Sequence, residues 1–170
     1  MKYTKPTIDI ITIDNFNIIC SSHQRVNNAK KYEVPDVVKE LYSDMTIRQK
    51  AAAMNLMFVL AGSCPPNPSC ISQIDKIMGM AANGMQISAQ QYKSLRDSFG
   101  GVQGMVDELK GVHNKGALDS IFLSLFSVVS VGKSEQAMQA LLNIYSQLGY
   151  SEDDCLEIVE KTEVLSRMFR

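Results

Sequence analysis

"AANGMQISAQQY", residues 81–92, is a helix end, a turn and a helix start in twelve residues. Asn83-Gly84 favours the left-handed backbone that closes helices. Ser88 followed three residues later by Gln91 has the form of a capping box, in which the serine side chain accepts from the fourth residue's N–H and the glutamine reaches back. Acidic residues at the Asn83 and Gln91 positions would also suit a cation site. The uncharged pair leaves capping as the stronger reading, because a hard cation such as Ca²⁺ or Mg²⁺ needs charged oxygens.

Outward from this turn, most of the chain repeats the same grammar. Pro35 opens "PDVVKELYSD" in a position where its missing N–H costs nothing. Thr46 and Gln49 form a second Ser/Thr-x-x-Gln box ahead of "AAAMNLMFVLA", where only Asn55 is polar, and Gly62 stops that helix. "CPPNPSC" is a rigid turn with Ser69 as candidate cap of the next helix and Gly84 as its stop. Segments beginning at Ser88, Val102, Ala117, Ser134 and Ser151 follow. The expectation is an all-α compact bundle of seven to eight short helices over residues 34–170. The helices at 46–61 and 117–131 are expected to be among the most buried, since only surrounding helices can cover such unbroken apolar runs.

An internal duplication is part of this reading. Residues 74–84 overlay 122–132, with Ile74, Ile77, Met78 and Ala81 on Phe122, Leu125, Phe126 and Val129. Each segment ends in glycine and precedes S-x-Q-x-x-x-x-L, with Ser88, Gln90 and Leu95 against Ser134, Gln136 and Leu141. The overlay is gapped by two residues, and apolar periodicity alone can produce much of it.

Ahead of the bundle, residues 1–33 read differently. "TIDIITID" prefers extended backbone, and "SSHQRVNNAKK" is polar. One strand does not stand alone. An extended N-terminal arm is expected, with Ile8, Ile10 and Ile13 too apolar to remain in water. It has three outlets: packing on the helices, pairing with its counterpart in a homo-oligomer, or adding to a partner's sheet edge.

Helix, glycine turn and Ser-capped helix in repetition, followed by "LGYSEDD" opening a last helix, resembles the TerB-like (tellurite-resistance B) family of small α-helical domains, over residues 50–168. Ala82, Asn83 and Gly84 stand on its A-D-G, Gln91 near its glutamate, and Leu148-Gly149 on its Leu-Gly. The resemblance implies a bacterial helical domain whose acidic members present a cation site or an acidic surface. Here those acids are replaced by Asn83, Gln91 and Val131, so no metal ligand carries over.

The totals narrow the function classes. In 170 residues, 45% are apolar, the net charge is −1, aromatics are 7% and tryptophan is absent. A basic footprint for nucleic acid is missing, and stacking platforms for bases are scarce. The apolar runs are about half a membrane span. The N-terminus lacks a signal-peptide pattern. Four cysteines, Cys20, Cys64, Cys70 and Cys155, are too sparse for a disulfide scaffold. A cytoplasmic protein with Cys64 and Cys70 as free thiols is the expectation. An envelope protein with a Cys64–Cys70 disulfide is the alternative.

For chemistry, the sequence offers little. His113 in "KGVHNKG" reads as an exposed loop residue. No nucleophile elbow, phosphate loop, dinucleotide fingerprint or zinc-helix motif occurs. The densest charge is Glu152, Asp153, Asp154, Glu157 and Glu160. Of these, Asp153, Glu157 and Glu160 share a helix face and form a candidate interaction surface, while the first three acids also suit a positive helix N-terminus. The functional expectation is a non-catalytic helical protein-interaction module without cofactor or metal, its unknown protein partner engaged through the arm or the acidic face. A small-ligand or metal-binding enzyme-like domain is the rival.

Overall fold

The computed structural model describes residues 34–63 and 65–168. The arm, with Ile8, Ile10 and Ile13, and Cys64 lie outside the described residues. Among the described residues there are eight α-helices and no strand. The helices are α1 (Asp36–Leu41), α2 (Ile47–Ala61), α3 (Pro68–Met85), α4 (Ala89–Leu95), α5 (Val102–Leu109), α6 (Lys115–Gly132), α7 (Glu135–Gln147) and α8 (Glu152–Met168), with a 3₁₀ turn at Arg96–Phe99.

Two helices organise the rest. α2 packs against α3, α4, α5 and α6, and α6 packs against α2, α3, α7 and α8. In α2 everything from Ala51 to Phe58, then Leu60 and Ala61, is buried. Three successive alanines let neighbouring helices approach from several sides, and the expected Thr46/Gln49 capping box closes two of the four orphan donors at the start. In α6, Ala117, Leu118, Ile121, Phe122, Leu125, Val128, Val129 and Gly132 are buried. The expectation that these two helices form the interior is met.

As a helix, α6 extends beyond its apolar run, to eighteen residues. By length and composition alone it could cross a membrane. In the fold it is a covered helix: only Lys115 and Ser130 along it are exposed.

Three boundaries differ from the sequence reading. α3 begins at Pro68, with Asn67 rather than Ser69 as cap: the Asn67 side chain accepts from the Cys70 N–H at 2.8 Å. Proline at the first helical position is pre-set for the helix, so the last of the three prolines starts a helix instead of forbidding it. Asn83-Gly84 does not end α3. The helix runs to Met85, and the left-handed residue is Gln86 (φ 55°). Gly84 faces α1: a Cβ there would meet the Tyr42 ring at 3.4 Å and Val38 at 3.5 Å, ordinary contact distances. Likewise Gly132 is the last residue of α6, and the left-handed residue is Lys133 (φ 50°).

α3 and α6 form an antiparallel central pair. At one end, Tyr42 of the α1 C-terminus touches the end of α3 at Gly84 and donates its hydroxyl proton to Ser120 Oγ near the start of α6. Asn114 reinforces this end, capping α6 while donating from Nδ2 to the Leu41 carbonyl at 3.1 Å. At the other end, Cys70 Sγ at the start of α3 lies 4.0 Å from the Val131 carbonyl at the end of α6. Aromatic edges then tie α6 to α7 and the turn after it: Phe122 meets Tyr145 with ring centroids 4.8 Å apart, and Tyr145 meets Tyr150 at 5.1 Å.

Candidate functional site

The turn at 81–92 is fully engaged in holding helices. Ser88 Oγ accepts from the Gln91 N–H at 3.2 Å, and Gln91 Oε1 accepts from the Ser88 N–H at 2.8 Å. The Ile87 N–H reaches back to the Ala82 carbonyl at 3.1 Å, the six-to-one bond of a Schellman ending. The Asn83 carbonyl accepts from the Gln86 N–H at 3.2 Å. Gln91, standing near the TerB-like glutamate, is thus consumed by capping. No group of three or more His, Cys, Asp or Glu side chains is placed to hold a metal ion among the described residues.

The acidic face of α8 divides into two parts. Asp154 is a capping residue: its carboxylate accepts from the Ser151 N–H and Oγ, both at 2.8 Å, while Ser151 Oγ accepts from the Asp154 N–H at 3.1 Å. The Ser151 backbone bond, then its hydroxyl bond, hold the Asp154 carboxyl below the usual carboxylate range. Glu157 pairs with Lys161 at 2.6 Å, which raises the lysine pKa.

Asp153 and Glu160 are exposed on the same face. With 3.6 residues per turn, Leu156 and Val164 fall among Asp153, Glu157 and Glu160, whereas Cys155, Ile158 and Val159 fall opposite. The accessibilities agree: Leu156 is 60% and Val164 56% exposed, while Cys155 and Ile158 are buried. The outward face of α8 is therefore apolar as well as acidic, which the sequence reading missed by attending to charge alone.

Two polar constellations were also missed. Asp119 on α6 accepts from the Tyr150 hydroxyl at 2.7 Å and faces Lys115 Nζ at 3.4 Å. Lys115 also stands 5.0 Å from the centre of the Tyr150 ring. Burial first, then the Asp119 bond and charge, raise the Tyr150 pKa well above its ordinary value. Nearby, Cys155 is 2% exposed, and burial followed by the charges of Asp154, Glu152 and Asp119 pushes its thiol up. A buried, protonated thiol is a poor nucleophile.

The other constellation is Arg48 on α2. It donates to Glu108 of α5 and to the Ser98 hydroxyl at 2.9 Å, and lies 4.6 Å from the centre of the Phe99 ring. Both groups join elements far apart in sequence, so no local spacing announces them.

His113 is exposed in the loop before α6, as expected. Cys70 departs from expectation. It is disulfide-bonded, with its partner outside the described residues, while Cys155 is free. The sequence placed only Cys64 and Cys70 close together and favoured free thiols there, because spacing along a chain does not fix whether two sulfurs meet in bonding geometry. Against known proteins, the chain matches no family model, and no curated protein or solved structure matches it.

Proposed function

We propose that the chain is a non-catalytic helical interaction module, organised like a TerB-like domain whose cation positions have been given over to helix capping. The observation that carries this reading is the outward face of α8, where Leu156 and Val164 stand exposed among Asp153, Glu157 and Glu160. Exposed apolar groups rimmed by charge suit docking of a basic, amphipathic protein segment. Gln91 in its capping box supports the second half of the proposal, because an amide bound to its own backbone is withdrawn from ligand duty.

The test compares proteins that co-purify with the wild type and with a Leu156→Asp, Val164→Asp double variant, after circular dichroism has verified equal helix content. A partner held by the wild type and lost by the variant supports the reading. A partner retained by both, or a saturable Ca²⁺ or Mg²⁺ thermal shift abolished by Asn83→Ala, overturns it.

One specific observation bears on location. Sparse cysteines speak for a reducing compartment, but the Cys70 disulfide favours the second reading, an oxidising compartment such as a cell envelope.

A further inference from the structure

α6 is long and apolar enough to cross a membrane, yet only eight of its eighteen residues are buried. Along its other side Ser120, Leu123, Ser124, Ser127 and Val131 are half-buried. Helical spacing puts Ser124, Ser127 and Val131 within about 40° of Ser120. On α3 the same spacing puts Ile77 and Met80 within about 40° of Gly84. Tyr42 belongs to both stripes, its ring against Gly84 and its hydroxyl bonded to Ser120.

Because α3 and α6 are antiparallel, the two stripes run side by side from Tyr42 to the end where Cys70 meets the Val131 carbonyl. They form a shallow trough about 16 Å long. Ile77 is half-buried in it and Met80 on its rim is 47% exposed. None of these side chains is charged. Ser124 and Ser127 donate to the Ser120 and Leu123 carbonyls at 3.2 and 2.7 Å, so apolar groups can cover them without stranding a hydroxyl proton.

We infer that this trough is the seat of the chain's own N-terminal arm, which docks there through isoleucines of residues 7–19. Val34, to which the arm is joined, stands with Val38 and Tyr42 around Gly84, so the arm starts at the mouth of the trough. Residues 20–33 can span about 45 Å when extended, enough for the apolar run to reach every part of it. Ile8, Ile10, Ile11, Ile13, Ile18 and Ile19 supply the apolar surface that an uncharged trough accepts. The arm of a second copy has the same chemistry, but attachment at the mouth gives the chain's own arm an effective concentration on the order of millimolar. The trough is separate from the outward face of α8, so the two surfaces can be tested apart.

The test uses the full chain with the photo-reactive residue p-benzoylphenylalanine in place of Met80 or, separately, of Ser127. Unlabelled and isotope-labelled chains are mixed before irradiation, and cross-linked peptides are read by mass spectrometry. From both positions the products join to residues 7–19 of a chain carrying the same isotope. Ile10→Asp combined with Ile13→Asp lowers their yield about tenfold and leaves the helix content unchanged. The same probe in place of Leu156 gives no arm product.

Mixed-isotope products would put a second copy's arm in the trough and overturn the inference. Absence of arm products from both trough positions, equal capture of the arm at Leu156, or an undiminished yield in the isoleucine variant would also overturn it. If the probe at Ser127 lowers the melting temperature, the exposed Met80 position decides alone.

Discussion

In residues 67–95 and again in residues 114–147, an asparagine caps an eighteen-residue helix, a non-glycine left-handed residue ends it and a serine opens the next helix. α3 and α6 correspond at a spacing of 47 residues, from Pro68 and Lys115 to Met85 and Gly132. Their buried positions coincide at that spacing: Cys70 with Ala117, Ile74 with Ile121, Asp75 with Phe122, Met78 with Leu125, Ala81 with Val128. Aligning the glycines puts the helices one residue out of register, because neither glycine is the left-handed residue.

The units part company at the turn. The first has one extra residue, Ile87, whose N–H makes the six-to-one bond and whose side chain is 6% exposed. The second closes with the single bond from the Lys133 N–H to the Val129 carbonyl at 2.9 Å. Beyond the turn, α4 packs on α2, whereas α7 packs on α6 and α8. One residue, used once to complete a Schellman ending, accompanies a different destination for the following helix.

The strongest blow to this difference is Ile87→Ala. It removes a buried side chain from the turn that only the first unit has, and a loss of about 2–3 kcal/mol in urea unfolding is expected. A loss below about 0.5 kcal/mol would show that Ile87 is a spacer and not an anchor.

Next is Asn55→Leu. In the helix-to-3₁₀ transition the Arg96 N–H turns to the Lys93 carbonyl, and buried Asn55 donates from Nδ2 to the Tyr92 carbonyl at 2.9 Å and to the Ala51 carbonyl at 2.8 Å. Removing the amide leaves a buried carbonyl short of a donor, and a cost of about 2 kcal/mol follows. Hydrogen exchange should quicken in α4 and the 3₁₀ turn and not in α7. Equal quickening in both would merge the two units again.

The serine caps offer a smaller contrast. Ser88→Ala breaks a reciprocal box and costs about 1 kcal/mol, while Ser88→Asp is close to neutral. Ser134 accepts from the Ala137 N–H at 3.2 Å, and Ala137 cannot return the bond. Ser134→Ala is therefore expected to cost less, about 0.5 kcal/mol. The reverse order in thermal unfolding would mean that the box contributes nothing beyond the cap.

The smallest effect is a gain shared by both units. Gln86→Gly and Lys133→Gly each relieve a left-handed side-chain conformation, offset by the extra freedom of glycine in the unfolded chain. Each should stabilise by about 0.5 kcal/mol. A gain at one position and a loss at the other would mark a side chain held by more than its backbone.

Local grammar was enough for much of this protein. Capping boxes at Thr46 and Ser88, the cap at Ser151, the number of helices and the burial of α2 and α6 can all be read from residues three or four apart, because helix ends and apolar faces are satisfied within a turn or two. Asn55 was visible as the single polar residue in an apolar run, but its acceptor, the Tyr92 carbonyl, was not. The glycines misled at the helix ends because the left-handed residue falls where the last backbone bonds of the helix close, at Gln86 and Lys133, and not at the residue that would bear that backbone with least strain.

Everything that joins distant segments needed the tertiary structure: Tyr42 to Ser120, Arg48 to Glu108, Tyr150 to Asp119, and the sulfur of Cys70 at the end of α6. Such pairs carry no spacing signal, since their separation in sequence is set by the lengths of the helices between them and not by the contact itself. The sequence by itself determined where helices begin and which faces they bury. Tertiary packing decided which helix covers which face, and so left the acidic, apolar side of α8 facing outward.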